Sequence, residues 1–94
     1  MQLYVIRRRS AFADVADLES GAARSAKVGN EEMPDRVRWI RSYIVEEPDG
    51  RIGTVCIYQA TDVASIREHA QRAQIAADEI VPVLNTVVVR QDPA

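Results

Sequence analysis

Leu3-Tyr4-Val5-Ile6 is a β-branched and aromatic run that stops at the polar Arg7-Arg8-Arg9-Ser10, which predicts a strand over residues 3–8. From about Ala13 good helix formers take over. Val15, Leu18, Ala22 and Ala26 return at three- and four-residue spacing, the mark of a helix that buries one stripe. Ser10 and Asp14 are its candidate N-caps, and Gly29-Asn30 predicts a left-handed close after Lys27 or Val28. Gly21 inside it costs about 1 kcal/mol against alanine, so this helix relies on packing. Glu31 to Arg36, with Pro34, reads as a charged surface loop.

Val37 to Glu46 holds Trp39, Ile40, Tyr43, Ile44 and Val45 and predicts a second strand. Glu47-Pro48-Asp49-Gly50-Arg51 supplies a proline to preset one turn angle and a glycine for a positive φ, so a hairpin returns through Ile52 to Tyr58. Thr61-Asp62 caps a second helix with Val63, Ile66, Ala70 and Ala73 as its inner stripe and Glu68-Arg72 as a favourably ordered surface pair. Ile80 to Arg90 predicts a fourth strand, and Pro82 near its start suits an edge position.

Strand, helix, strand, strand, helix, strand is the α+β, ferredoxin-like βαββαβ arrangement. It predicts one domain over residues 1–94, with an antiparallel sheet in the order 4-1-3-2 and two right-handed crossovers placing both helices on one face. The other face is then left to be polar, to form an oligomer or to line a pocket, and function is sought there.

The hairpin register decides which residues share that face, because a one-residue slip exchanges the faces. A two-residue connection aligns Trp39, Arg41 and Tyr43 with Thr54, Cys56 and Tyr58. A three-residue connection through Pro48-Asp49-Gly50 aligns them with Val55 and Ile57. The first is preferred because it gathers Ile40, Ile44, Val55 and Ile57 under the helices and leaves an aromatic, mixed open face suited to a homodimer.

Hydrophobic residues make up 47 % and charged residues 28 % of the chain, a globular balance that speaks against disorder. The apolar runs are far shorter than the roughly 20 residues that cross a bilayer, and the N-terminus lacks the layout of a signal peptide, so no membrane partner is expected and the cytoplasm is the default location. A net charge of −2 gives no general pull toward nucleic acid. The third strand also lacks the paired aromatics of an RNA-recognition motif, so no nucleic-acid partner is expected.

Candidate chemistry is sparse. His69, the single histidine, has three readings: a metal ligand, an acid-base group, or a structural or surface side chain. A metal such as nickel or zinc needs several converging donors; beyond His69 these would come from Glu68, Asp78, Glu79 or a second subunit. Cys56, the single cysteine, reads as a buried small hydrophobe. No nucleophile elbow and no glycine-rich phosphate loop is present. Arg7, Arg8 and Arg9 form the densest basic run and could grip an anion, but successive residues of a strand point to opposite faces, so their ordinary reading is solvation and ion pairing. Trp39, Arg41, Tyr43, Cys56 and Tyr58 are the candidate ligand-binding residues.

Val37-Arg38-Trp39-Ile40-Arg41-Ser42-Tyr43, Cys56-Ile57-Tyr58-Gln59-Ala60, Arg67-Glu68-His69-Ala70 and Ala77-Asp78-Glu79-Ile80 together resemble a family of small bacterial nickel-binding, nickel-responsive proteins. The resemblance implies a ferredoxin-like fold, homodimers and, in some members, nickel held by histidines. Nickel is thus the cofactor it suggests, and His69 is the metal ligand it carries over. The chain departs from the pattern in having one histidine, and in ending its first strand on Arg7-Arg8-Arg9 where metal ligands would stand. The expected function is a small dimeric protein binding nickel or another small ligand. The alternative is a cofactor-independent monooxygenase- or isomerase-like enzyme of the dimeric α+β barrel kind, with Tyr43, Tyr58, Arg41 or His69 in its cavity.

Overall fold

In the computed structural model, which describes residues 1–93, alternation along the first strand sets the sheet: Tyr4, Ile6 and Arg8 turn inward and are buried, while Leu3, Val5 and Arg7 face the other way. This strand, β1 (Gln2–Phe12), is followed by α1 (Val15–Lys27), β2 (Val37–Glu46), β3 (Ile52–Ala60), α2 (Val63–Ala73) and β4 (Glu79–Pro82). The four antiparallel strands lie in the order β2-β3-β1-β4, the predicted ferredoxin-like order read from the other edge. Both helices cover one face, where Ile6, Tyr58 and Ala60 of the sheet meet Val28, Ile66 and Ala73. Among the described residues no helix is long and apolar enough to cross a membrane.

β1 runs four residues beyond its predicted end because of a bulge. Arg8 stands opposite Thr54 and Phe12 opposite Ile52, so the intervening residues are accommodated by Ser10 at φ +50°. Ser10 is therefore the bulge and not a helix cap. Asp14 is the cap: it accepts from the Asp17 amide at 2.9 Å, while the Asp17 carboxylate accepts from the Ala13 amide at 2.9 Å.

The bulge carries the Phe12 ring onto α1, where a Cβ on Gly21 would stand 2.7 Å from it. α1 consequently turns Gly21 and Ser25 inward. Of the predicted stripe, Leu18, Ala22 and Ala26 are half-buried and Val15 is exposed. Gly29-Asn30 does not close the helix either. The chain widens into a π-helical turn over Val28–Glu32, and the Met33 amide reaches back to the Val28 carbonyl at 2.9 Å, which brings both apolar side chains into the core. The α2 stripe is as predicted, with Ile66, Ala70 and Ala73 buried.

The hairpin overturns the preferred two-residue register. Glu47 donates to the Arg51 carbonyl and Gly50, at φ +82°, to that of Glu47, so the loop is the three residues Pro48-Asp49-Gly50. Tyr43 and Arg41 accordingly pair with Val55 and Ile57. A bulge at Ile40 then shifts the register and sets Trp39 opposite Tyr58. Val55 and Ile57 lie on the open face, not under the helices.

β4 is an edge strand containing Pro82, as expected, but far shorter than 80–90. Its register, Tyr4 opposite Pro82 and Arg7 opposite Glu79, would put residue 84 opposite Gln2, where β1 begins. Val87, Val88 and Val89 favour strand but have run past their only available neighbour and stay exposed.

Candidate functional site

Inward alternation on β1 and β3, with the β2 bulge, places Arg8, Thr54, Cys56, Tyr58, Trp39 and Ser42 on the helix-covered face. Beside them, between α1 and the sheet, is a cavity of about 190 Å³. Phe12, Gly21 and Ile75 add apolar walls, and exposed Glu19, Trp39 and Ile44 flank it where α1 stands over the edge strand β2.

Hydroxyl and thiol groups form a chain along the cavity floor. The Trp39 Nε1–H donates to Ser42 Oγ at 2.8 Å, Ser42 Oγ donates to Cys56 Sγ at 3.0 Å, and the thiol donates to Thr54 Oγ1 at 3.2 Å. Thr54 ends this chain and stands directly across the ladder from Arg8.

A second cluster forms the inner wall. Tyr58 Oη lies 2.7 Å from Ser25 Oγ, its ring stacks on Trp39 at 6.1 Å, and Arg8 Cζ sits 5.5 Å from the ring centroid in a cation–π contact. Burial pushes the Tyr58 phenol up, against the opposing pull of Arg8 and the hydrogen bond to Ser25, so it stays neutral. The His69 ring packs edge-on against Tyr58 at 5.3 Å. Its Nε2 lies 3.0 Å from the Ser25 carbonyl, which can only accept, so Nε2 carries the proton; Nδ1 is left without a partner. Burial pushes the His69 imidazole down, partly offset by the bond to Ser25 and reinforced by Arg8, so the ring is neutral.

The five candidate ligand-binding residues are therefore divided by the sheet. Trp39, Cys56 and Tyr58 belong to the cavity. Arg41 and Tyr43 lie on the open face, where both reach the Asp92 carboxylate, at 3.4 and 2.7 Å. The three-residue loop and the Ile40 bulge make this division, against the expected register that kept all five on the open face. His69 is fully buried in the core. Among the described residues no group of three or more His, Cys, Asp or Glu side chains converges on a point, around His69 or elsewhere. Glu68, a proposed co-ligand, points outward to Arg36 and Arg72.

Arg8 is the residue that the sequence did not single out. Within Arg7-Arg8-Arg9 the first pairs with Glu47 and the third with Glu79, as expected of ion-pairing arginines. The middle one is 1 % exposed. The signal was alternation itself, since Tyr4, Ile6 and Arg8 share a face once the strand continues past residue 8.

A family model described as nickel responsive protein SCO4226-like matches residues 4–83. The fold is similar to the crystal structure of SCO4226 from Streptomyces coelicolor A3(2), with a TM-score of 0.72 at 16 % identity, covering 90 % of this chain and 99 % of that one. No curated protein sequence matches the chain.

Proposed function

The chain belongs to the nickel responsive SCO4226-like family, and we propose that it serves as a homodimeric binding protein that takes a small organic molecule into the cavity between α1 and the sheet. The observation supporting this reading is the cavity itself, about 190 Å³ in a chain of 94 residues. Protein interiors pack to crystal-like density with few voids larger than a water molecule, and an apolar cavity of about 150 Å³ accommodates benzene. The space therefore fits a single-ring compound.

Nickel held within one chain has less behind it. The metal needs several nitrogen, sulfur or oxygen donors at one point, and the described residues do not bring three His, Cys, Asp or Glu side chains together. The enzymatic reading also has less behind it: the Tyr58 phenol is held neutral, and His69, with its free Nδ1, lies in the core outside the cavity lining.

Dimerisation is supported by the apolar side chains exposed on the open sheet face, Tyr43 and Val81, and on the segment that crosses this face to Asp92, Leu84, Val87 and Val89. Burying this apolar surface against a second copy would remove it from water. Light scattering is expected to give the mass of two chains, and Val81→Glu to shift it toward one; a one-chain mass for the unaltered protein at micromolar concentration would remove the dimer.

The binding reading is tested by calorimetric titration with benzyl alcohol, a neutral single-ring probe. Saturable binding abolished by Ala22→Phe, which fills the cavity from α1, is the expected result. Absence of saturable binding to the unaltered protein by this probe and by the charged single-ring probes below refutes it.

A further inference from the structure

We infer that the cavity ligand is a monocarboxylate, with its charged group seated on Arg8 and Thr54 and its ring in the apolar part of the cavity. This rests on the binding reading above and specifies the chemistry of the same site. Arg8 is 1 % exposed, yet its Nε and Nη2 have no hydrogen-bond partner. An unpaired guanidinium out of water is among the costliest groups a small domain can bury, and one cation–π contact with Tyr58 leaves those N–H donors unsatisfied.

The carboxylates of the neighbourhood are engaged elsewhere or stay outside. Glu47 accepts from Arg7 and from the Ser10 amide, Glu79 pairs with Arg9, and Asp78 accepts from the Arg9 amide. Glu19, on the cavity lining, is exposed and forms no ion pair with Arg8. Among the described residues none provides the missing counter-charge.

Thr54 completes the seat. It is Arg8's cross-strand neighbour on the same face, its Oγ1 already accepts from the Cys56 thiol, and among the described residues no acceptor takes its own proton. Two guanidinium donors and one hydroxyl match the two oxygens of a carboxylate. Arg8 is the one cation on the cavity lining and balances a single negative charge, which favours a carboxylate over a phosphate dianion.

The test compares benzoate, benzamide and phenyl phosphate, equal in ring and different in charge, by calorimetry and by the emission of Trp39, the single tryptophan and part of the cavity wall. Benzoate is expected to bind at least tenfold more tightly than the other two, and the preference over benzamide is expected to vanish in Arg8→Met. That variant is expected to melt no lower than the unaltered protein, since it removes an unpaired buried charge. Equal binding of benzoate and benzamide, or tighter binding of phenyl phosphate, overturns the monocarboxylate while leaving the cavity reading intact. Failure of benzyl alcohol and of all three probes overturns both. A persisting benzoate preference in Arg8→Met, or a marked loss of stability in it, overturns the role of Arg8.

Discussion

Arg7 reaches Glu47 with a single Nη2, 3.1 Å from each carboxylate oxygen, while its Nη1 donates to the Thr54 carbonyl at 2.8 Å. The pair joins β1 to the start of the hairpin loop, and Glu47 also accepts from the Ser10 amide at 2.9 Å, fixing the β1 bulge. Glu47 is nearly buried, so these bonds are poorly replaced by water. Glu47→Gln is expected to cost about 2 kcal/mol in urea denaturation, as a charge-assisted partner is lost and Arg7 is left half-buried. A loss below about 0.5 kcal/mol would show the pair to be no stronger than a surface ion pair.

Gly53 leaves no room for a side chain. A Cβ there would stand 2.8 Å from the Arg8 carbonyl oxygen, a backbone atom held in the sheet, and would also press on the Glu47 carboxylate. Gly53→Ala is expected to destabilise by about 2 kcal/mol and lower the melting temperature by roughly 10 °C. Gly50→Ala tests a different constraint: nothing obstructs a Cβ there, but φ +82° is strained for an L-residue. Unchanged melting of Gly53→Ala would disprove the close approach of β1 and β3 at this point.

The buried His69 makes stability depend on pH. Its pKa in the fold lies below the ordinary value of about 6.5, first because of burial and also because Arg8 faces it. Tyr58 faces it as well but is neutral. As pH falls below about 6.5 the unfolded chain takes a proton that the folded chain refuses. The stability contribution is therefore whole above that pH and declines as pH falls toward the lower folded value, by at most about 1.4 kcal/mol per pH unit. Urea denaturation from pH 7.5 to 5.5 should show this slope, and His69→Gln should flatten it. Equal slopes in both proteins would rule out His69 as the cause.

Calorimetric titration of metal-stripped protein with nickel, beside His69→Ala, separates the family's metal from this chain's own donors. No nickel binding that depends on His69 is expected, because the ring is in the core with its proton on the Ser25 carbonyl. Saturable nickel binding that disappears in the variant would restore His69 as a ligand.

The element order, the sheet order, the Asp62 cap and the α2 stripe were legible because each is local: an apolar period, a capping residue or a proline acts over a few residues. Composition and periodicity were enough to predict a ferredoxin-like domain with one uncovered face. The site was not legible in the same way, because it depends on two bulges and a loop length. Ser10 and Ile40 each add residues to one strand without leaving a compositional mark, and Pro48-Asp49-Gly50 reads equally well in either register.

Tertiary structure decided which side of the sheet each side chain joined, since one extra residue in a period of two exchanges the faces. That step moved Trp39, Cys56 and Tyr58 beneath α1 and parted them from Arg41 and Tyr43. It also decided the fate of Arg8. Three consecutive arginines on β1 are plain from the residues alone; only the packing of α1 across that face puts the middle one out of water with its Nε and Nη2 unbonded, because burial is a property of what covers a residue and not of the residue itself.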